Sequence, residues 1–436
     1  MSGLGRGSGL ICIDARCSML LISSAQACSV TSIVMTVKTP VYLDNHSTTA
    51  VDPRVVEVML PFFTQQFGNA GSSSHAYGWE AKDAVDRARQ QVAQAIGAKA
   101  REVIFTSGAT ESNNLAVRGI ADWLGKKGRH LVSVVSEHRA TLDPLDRLTR
   151  RGYEVTLLPV HPHGHASTGQ ICLSQFADTI RDDTILVSVM LANNEIGVIQ
   201  PLAQISEICR ERDVILHCDA TQAIGKMPVD VTELGIDLMS FSAHKLYGPK
   251  GVGALYVRGR SPQTRLVPLL DGGAQERGMR SGTLNVHGIV GFGAAAELAI
   301  QELNPEMTRV RQLRDRLFQG IQAAIADCSL NGPSIKPGSD TTDSRLAGNL
   351  NMTFRLVEGE SLMMSMGDLA VSSGSACTSA NPEPSHVLRA LGLPDDDVRA
   401  SLRFGVGRFN TEEEIDFAIE TLAGAVKRLR ALSSMA

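Results

Sequence analysis

Ser242, Ala243, His244 and Lys245 stand together at the end of the apolar run Leu238–Phe241, and Gly248, Pro249 and Gly251 force a turn just after them. A surface lysine usually sits on a polar helix face; this one ends a buried strand beside a serine and a histidine. Partial desolvation lowers an amine's pKa and lets it add to an aldehyde as a Schiff base. A second reactive stretch is Ser372-Ser-Gly-Ser-Ala-Cys-Thr-Ser-Ala380, in which seven of nine residues are Ser, Gly or Ala. Such a loop packs poorly, so Cys377 reads as an exposed, mobile thiol and a nucleophile rather than a core filler.

The elements that must position these groups alternate. Strand-like runs are expected at 102–106, 130–136, 153–159, 184–190, 214–218, 238–241 and 252–257, with helices near 78–96, 111–124, 141–150, 174–181 and 201–212. A further helical pattern runs over 54–67, after the start signal Asp52-Pro53. Alternation of this kind predicts an α/β fold with a mainly parallel sheet covered on both faces. Ligands of such sheets collect beyond the carboxyl ends of the strands. The polar clusters fall there: Ala109-Thr110, Glu137-His138, Asn193-Asn194-Glu195, Asp219 to Gln222, and Ser242 to Lys245. Downstream, helices at 288–303 and 305–325 lead to a smaller α+β domain with strands at 349–354, 369–372 and 400–404, helices at 360–367 and 386–391, and a last helix at 411–432. The partition expected is a large domain over 51–295 and a small one from 35–50 and 296–436.

An aldehyde cofactor with a phosphate and a pyridine ring would use each cluster. Ser107-Gly108-Ala109-Thr110 offers backbone N–H groups at a helix start and the Thr110 hydroxyl for a phosphate, though a plain turn with an N-cap threonine has the same sequence. Asp219 suits a protonated pyridine nitrogen, or simply caps the next helix. Gln222 can donate to a ring oxygen. His138 can stack on the ring and move protons, or be structural. Asn194 could orient substrate or ring.

Composition narrows the field. The 436 residues are 43% hydrophobic and 20% charged with a net charge of -4, which gives no electrostatic case for nucleic acid or an anionic membrane. No apolar run approaches the roughly 20 residues that span a bilayer. The eight cysteines form no CxxC pair, which argues against a zinc site or a disulfide framework, favours a reducing compartment and leaves most of them buried and inert. Residues 1–34 read as a disordered leader, or as sequence upstream of a start at Met35; a targeting peptide is the alternative.

From about Val41 to Leu429 the sequence resembles the cysteine desulfurases among the fold type I pyridoxal-phosphate enzymes. The resemblance rests on YLDNHSTT, TSGATESNN, SEHRATLD, NNEIG, DATQAIGK, DLMSFSAHKLYGPKG, ERGMRSGT, VEGES, SSGSACTSA and LRFGVGR in that order. The cysteine loop resembles that of the long-loop branch, which includes the iron–sulfur-assembly enzymes. The resemblance implies that Lys245 holds pyridoxal 5′-phosphate covalently and later acts as a base. Ala109, Thr110, Ser242, Ala243 and His244 would line its phosphate site. Thr283 would reach the cofactor of a partner subunit in a homodimer. Asp219, Gln222 and His138 would keep their ring roles, and Asn194 and Arg403 would hold the substrate L-cysteine, Arg403 by its carboxylate. Cys377 would take the sulfur as a persulfide, leave L-alanine, and pass the sulfur to an acceptor such as an iron–sulfur scaffold. No intrinsic metal is implied, although Cys377 could transiently ligate a cluster. The bacterial cytoplasm is the expected location, with the mitochondrial matrix as the alternative if 1–34 is a transit peptide.

The same resemblance leaves selenocysteine lyase and tRNA-thiolation sulfur donor as alternatives. A transaminase has no use for the thiol loop, and a silent partner protein would have lost Lys245 or Cys377. The chain also departs from the family in two ways. It stops at Ala436 where assembly enzymes often continue, which puts scaffold docking through such a tail in doubt. It also carries Pro144 in SEHRATLDP, expected to be harmless in the first turn of a helix.

Overall fold

The computed structural model describes residues 37–259, 265–336, 344–373 and 384–433. Strands β1 (Val103–Thr106), β2 (His130–Val134), β3 (Glu154–Leu158), β4 (Thr184–Ser188), β5 (Ile215–Asp219), β6 (Leu238–Ser242) and β7 (Gly253–Val257) form one sheet in the order β1-β7-β6-β5-β4-β2-β3. β7 runs antiparallel to both its neighbours; every other pairing is parallel. All residues of β2, β4, β6 and β7 are buried, as expected of strands covered on both faces.

The covers are amphipathic helices. On one face α1 (Ala76–Gln94) and α6 (Val286–Gln301) set small side chains such as Ala84, Ala88 and Ala295 near Phe105, Phe241 and Phe292. On the other, α2 (Ala109–Leu124) and α3 (Arg139–Thr149) bring Leu115, Ile120, Leu145 and Leu148 to Leu131, Leu186 and Leu255. α4 (Leu173–Thr179) and α5 (Leu202–Glu211) complete the alternation. Each fully buried leucine or phenylalanine contributes about 1.5–3 kcal/mol.

After α7 (Leu303–Ala324) a second sheet forms, β10-β9-β8, from β8 (Cys328–Leu330), β9 (Asn349–Phe354) and β10 (Ser401–Gly405), all antiparallel. Its core joins Leu350, Met352, Phe354, Leu402 and Phe404 to Leu313 and Leu317 of α7 and to Ile415 and Leu422 of α8 (Glu412–Ser433). Val41–Tyr42 pairs with Leu369–Ala370 beside it. Residues 37–436 cluster as one compact unit; the division into a large and a small domain is our proposal, drawn from these separate cores.

Prolines account for the local surprises. The helix expected over 54–67 breaks into Pro53–Met59 and Pro61–Thr64, because Pro61 has no N–H to continue the first ladder. Its start is as read: the Asp52 carboxylate accepts from Arg54 N at 3.0 Å. The expectation for Pro144 is corrected. α3 begins at Arg139, so this buried proline lies in the second turn and removes a bond to the Ala140 carbonyl. β8 and the short helix Asp395–Arg399 were not foreseen; three residues and five carry too little periodicity.

Candidate active site

The carboxyl ends of β1, β5 and β6 open on a cavity of about 560 Å³, within the range of small-molecule sites. At one end β1 runs into α2 through Ser107 and Gly108. Gly108 has φ +155° and packs on Gly253; a Cβ at Gly253 would lie 2.6 Å from Gly108 Cα. Only glycine allows this approach, which presents the first turn of α2 to the cavity. Ala109 and Thr110 open the helix and line the cavity, so their N–H groups lack intrahelical acceptors and are of the kind that can hold an anion. Ser242 and His244 line the same wall. The His244 Nδ1 lies 3.0 Å from the Thr48 hydroxyl. Burial, then Lys245 and Lys250, push its imidazole down to about 4, so it is neutral at pH 7. Beside the turn, Glu111 accepts from Ser107 N at 2.8 Å and from Arg280 Nε at 2.8 Å. Burial raises the Glu111 carboxyl, but these bonds outweigh it and hold it below its ordinary value.

Across the cavity Asp219 ends β5. Its Oδ2 accepts from Asn113 Nδ2 at 2.7 Å and its Oδ1 from Thr221 N at 2.9 Å, fixing the carboxylate plane. Behind it Glu137 is fully buried; burial and then the charge of Asp219 raise its carboxyl well above the usual range. His138 caps α3, its Nδ1 accepting from Ala140 N at 3.0 Å. That bond leaves Nε2 as the nitrogen able to exchange a proton with the cavity that His138 lines.

Lys245 closes a short 3-10 turn after β6, and its Nζ donates to the carbonyls of His46 at 2.5 Å and Ser47 at 2.6 Å. Arg403 reaches the cavity from β10 and is 1% exposed. Its Nη1 donates to Asn194 O at 3.1 Å and its Nη2 to Asp44 Oδ1 at 2.8 Å, while its Nε has no acceptor among the described residues. A guanidinium has five N–H bonds; with the Nε buried, one on each terminal nitrogen remains for a ligand.

The sequence reading thus fares unevenly. Ala109, Thr110, His138, Asn194, Asp219, Gln222, Ser242, His244, Lys245 and Arg403 all line one cavity. Ala243 is buried beneath it, and Thr283 is exposed and does not line it. Cys377 lies outside the described residues. The segment flanking it does not: Ser372 pairs with Arg403 through Arg403 N donating to Ser372 O at 2.7 Å, and Pro384 and His386 line the cavity. His386 Nε2 is 2.9 Å from Glu137 O.

A family profile described as Aminotransferase class-V matches residues 41–417. The chain belongs to the class-V aminotransferase family. Within that family it stands among the cysteine desulfurases. It is 54% identical over 398 residues to a protein of Anaeromyxobacter dehalogenans named cysteine desulfurase IscS, covering 91% of this chain and 95% of that protein. A protein of the same name from Rickettsia bellii is 51% identical over 396 residues, covering 91% and 93%. Among solved structures, a NifS-like protein superposes with a TM-score of 0.80 at 34% identity, over 89% of this chain and 99% of that one. A structure described as SspA in complex with cysteine gives 0.71 at 32% identity, over 85% and 99%.

The segments YLDNHSTT and DATQAIGK also contain groups that the sequence reading passed over. Asp44 holds Arg403, and His46 and Lys226 hold Gln222. His46 and Asp44 sit in YLDNHSTT, whose lack of periodicity gave no clue to a partner. A histidine and an acid just before the hydroxyl run Ser47-Thr48-Thr49 were the available signal.

Proposed function

We propose that this chain is a pyridoxal 5′-phosphate-dependent cysteine desulfurase, a homodimer of the reducing cytoplasm that feeds iron–sulfur cluster assembly. The observation that carries the reading is the pairing, in one cavity, of a lysine amine with an arginine whose two terminal nitrogens each keep an N–H bond free. The donor set fits the cofactor: a helix start with Ser242 and His244 for its phosphate, a fixed carboxylate for its ring nitrogen, an amide for its ring oxygen, a histidine for its face and an amine for its aldehyde.

When bound, pyridoxal phosphate supplies an electron-withdrawing ring that makes the substrate Cα–H acidic and its Cβ–S bond labile. Asp219 keeps the ring nitrogen protonated, being held by Asn113 and Thr221. Arg403 grips the amino-acid carboxylate with charge-assisted hydrogen bonds. Lys245 takes the Cα proton, and His138 exchanges protons through Nε2. The Cys377 thiolate attacks the substrate sulfur; a sulfur–sulfur bond forms as Cβ–S breaks, and the electron pair left on Cβ takes a proton. L-cysteine and the Cys377 thiol become L-alanine and a Cys377 persulfide, whose outer sulfur goes to an acceptor protein.

Pairing of two copies is supported by an exposed aromatic group, Phe63, Phe67, Tyr77 and Trp79, each more than half exposed. The exposed Thr283 stands ready for a partner's phosphate. A reducing location agrees with the free cysteines Cys172, Cys209, Cys218 and Cys328 among the described residues.

The test is to supply L-cysteine, L-selenocysteine and L-alanine in turn and to measure sulfide, selenide, alanine and pyruvate. Yellow protein that releases sulfide with dithiothreitol and forms alanine one for one supports the reading. Colourless protein that cannot be reconstituted with pyridoxal phosphate overturns it. Cys377→Ala should stay yellow and release no sulfide; full activity would remove Cys377 from its role.

A further inference from the structure

Lys226 has no part in the reaction above, yet its amine is one hydrogen bond from the cavity wall. Lys226 Nζ donates to Gln222 Oε1 at 2.7 Å. His46 Nδ1 lies 3.1 Å from the same oxygen, and Gln222 Nε2 donates to His46 O at 2.8 Å. An ammonium can only donate, so the amide of Gln222 must keep its oxygen toward Lys226 and its NH₂ on the other edge. Nε2 spends one hydrogen on His46 and retains a second for a ligand in the cavity that Gln222 lines.

The neighbouring charges sharpen this. Burial, then Lys245 and Arg403, push the Lys226 amine down to about 7, against the opposing pull of Glu306. His46 is buried, and burial, then Lys226 and Arg403, hold it well below its ordinary value, so of the two groups on the Gln222 oxygen Lys226 is the one that takes up a proton near pH 7. An anion bonded to the far side of the Gln222 amide would stabilise the ammonium in return. A cation on the carbonyl oxygen polarises the amide and strengthens its N–H as a donor, an effect that grows away from water. Behind the amine, a space of about 20 Å³ bordered by His46, Tyr247 and Glu306 has room for a single water to meet another of its N–H bonds.

We propose that Lys226, with His46 and through the Gln222 amide, is a positioning residue that makes this site select a ring carrying an ionised oxygen, the phenolate of pyridoxal phosphate. The inference rests on the cofactor reading above and adds the source of the ring-oxygen preference.

The experiment compares the wild type with Lys226→Met and Lys226→Arg, each loaded with pyridoxal phosphate and with 3-deoxypyridoxal phosphate, which lacks the oxygen. Ligand retention on dialysis is measured, together with the balance between the yellow form, whose ring oxygen is ionised, and the colourless form, whose oxygen keeps its proton. Lys226→Met should weaken pyridoxal phosphate about tenfold, the scale of one charge-assisted hydrogen bond, and shift its spectrum toward the colourless form. The same change should leave the 3-deoxy ligand unaffected, and Lys226→Arg should restore most of the colour. Equal losses for both ligands would mean a merely structural lysine and overturn the proposal, as would no change for either. Lys226→Gln, which keeps a donor without the charge, reads the same selectivity if Lys226→Met does not fold. Wild-type protein that retains neither ligand overturns the cofactor reading and this inference together, and the uncoloured wild type marks that case apart.

Discussion

Replacing Arg403 tests the site most sharply, because structural and substrate-binding roles separate there. The guanidinium already gives one N–H to Asn194 O at 3.1 Å and one to Asp44 at 2.8 Å. The second N–H on each terminal nitrogen suits a carboxylate that accepts both, the Nε being buried. Two charge-assisted hydrogen bonds at about 1.5–3 kcal/mol each amount to roughly 3–5 kcal/mol once imperfect additivity is allowed for. Arg403→Met should therefore lower kcat/KM for L-cysteine by roughly a hundred- to several-thousand-fold. Most of the loss should appear in KM, since the carboxylate is held in ground and transition states alike. The yellow colour should persist, because Arg403 is not among the groups assigned to the ring. Arg403→Met also leaves Asp44 without its cation, so some stability will go with it. The double variant Asp44→Asn/Arg403→Met should recover that stability without recovering KM. Steady-state sulfide release and thermal melts on the three proteins decide the matter. If Arg403→Met held kcat/KM while losing stability, the arginine would be an anchor for Asp44 and nothing more, and the substrate grip would have to be sought elsewhere.

Other expectations follow from single observations. Asp219→Asn should keep the fold but reduce turnover by at least about a hundredfold, the scale of a lost electrostatic stabiliser; near-normal kcat would remove the acid from the ring nitrogen. Gly253→Ala would set a Cβ 2.6 Å from Gly108 Cα and 2.7 Å from Phe241 O. Overpacking against backbone costs about 1–3 kcal/mol, so both the melting temperature and cofactor retention should fall, whereas a change in neither would mean that the turn can move. His217 lies in the sheet with Nδ1 2.8 Å from Ser188 Oγ and Nε2 2.9 Å from Ser240 Oγ, and burial pushes it down to about 4. Against an ordinary value near 6.5, this neutral histidine contributes about 3 kcal/mol that is present above pH 6.5 and is lost as pH falls toward 4. Urea midpoints of His217→Gln should therefore decline less steeply than wild type over that window.

What could be read from the sequence was whatever lies along a strand. Asp219 and Ser242 end apolar runs, so their place at the sheet's carboxyl edge follows from local pattern plus the rule that ligands collect there. Lys245 gained its meaning from the same rule. Asp44 and His46 had no such signal. Each sits in a short irregular stretch, and each finds its partner far along the chain, Arg403 for Asp44 and Gln222 for His46. Lys226 was hidden for another reason: in a sequence it is an ordinary lysine after a glycine, and only the packed structure brings Lys245 and Arg403 close enough to depress its amine. Pro144 shows the opposite error. Its effect was judged from an expected helix start two residues late, and the boundary, not the residue, was at fault.

Arg403 also links the two reactive centres mechanically. Its side chain enters the cavity, while its backbone pairs with Ser372, at the start of the loop that carries Cys377. Under the proposed function, the same strand residue both holds the amino-acid carboxylate and anchors Ser372. On β9 its register partner is Asn351, whose Nδ2 donates to Glu195 O at 3.2 Å, next to Asn194 on the large-sheet side. The groups proposed to bind the ring stand on the core of the large sheet and the proposed carboxylate grip on that of the small one, and the two sheets are bonded through Arg403 to Asn194 and Asn351 to Glu195. In the proposed reaction, the chain that runs on from Ser372 to Cys377 therefore starts at the residue assigned to hold the substrate, and the search of the thiol for one particular sulfur has a fixed origin.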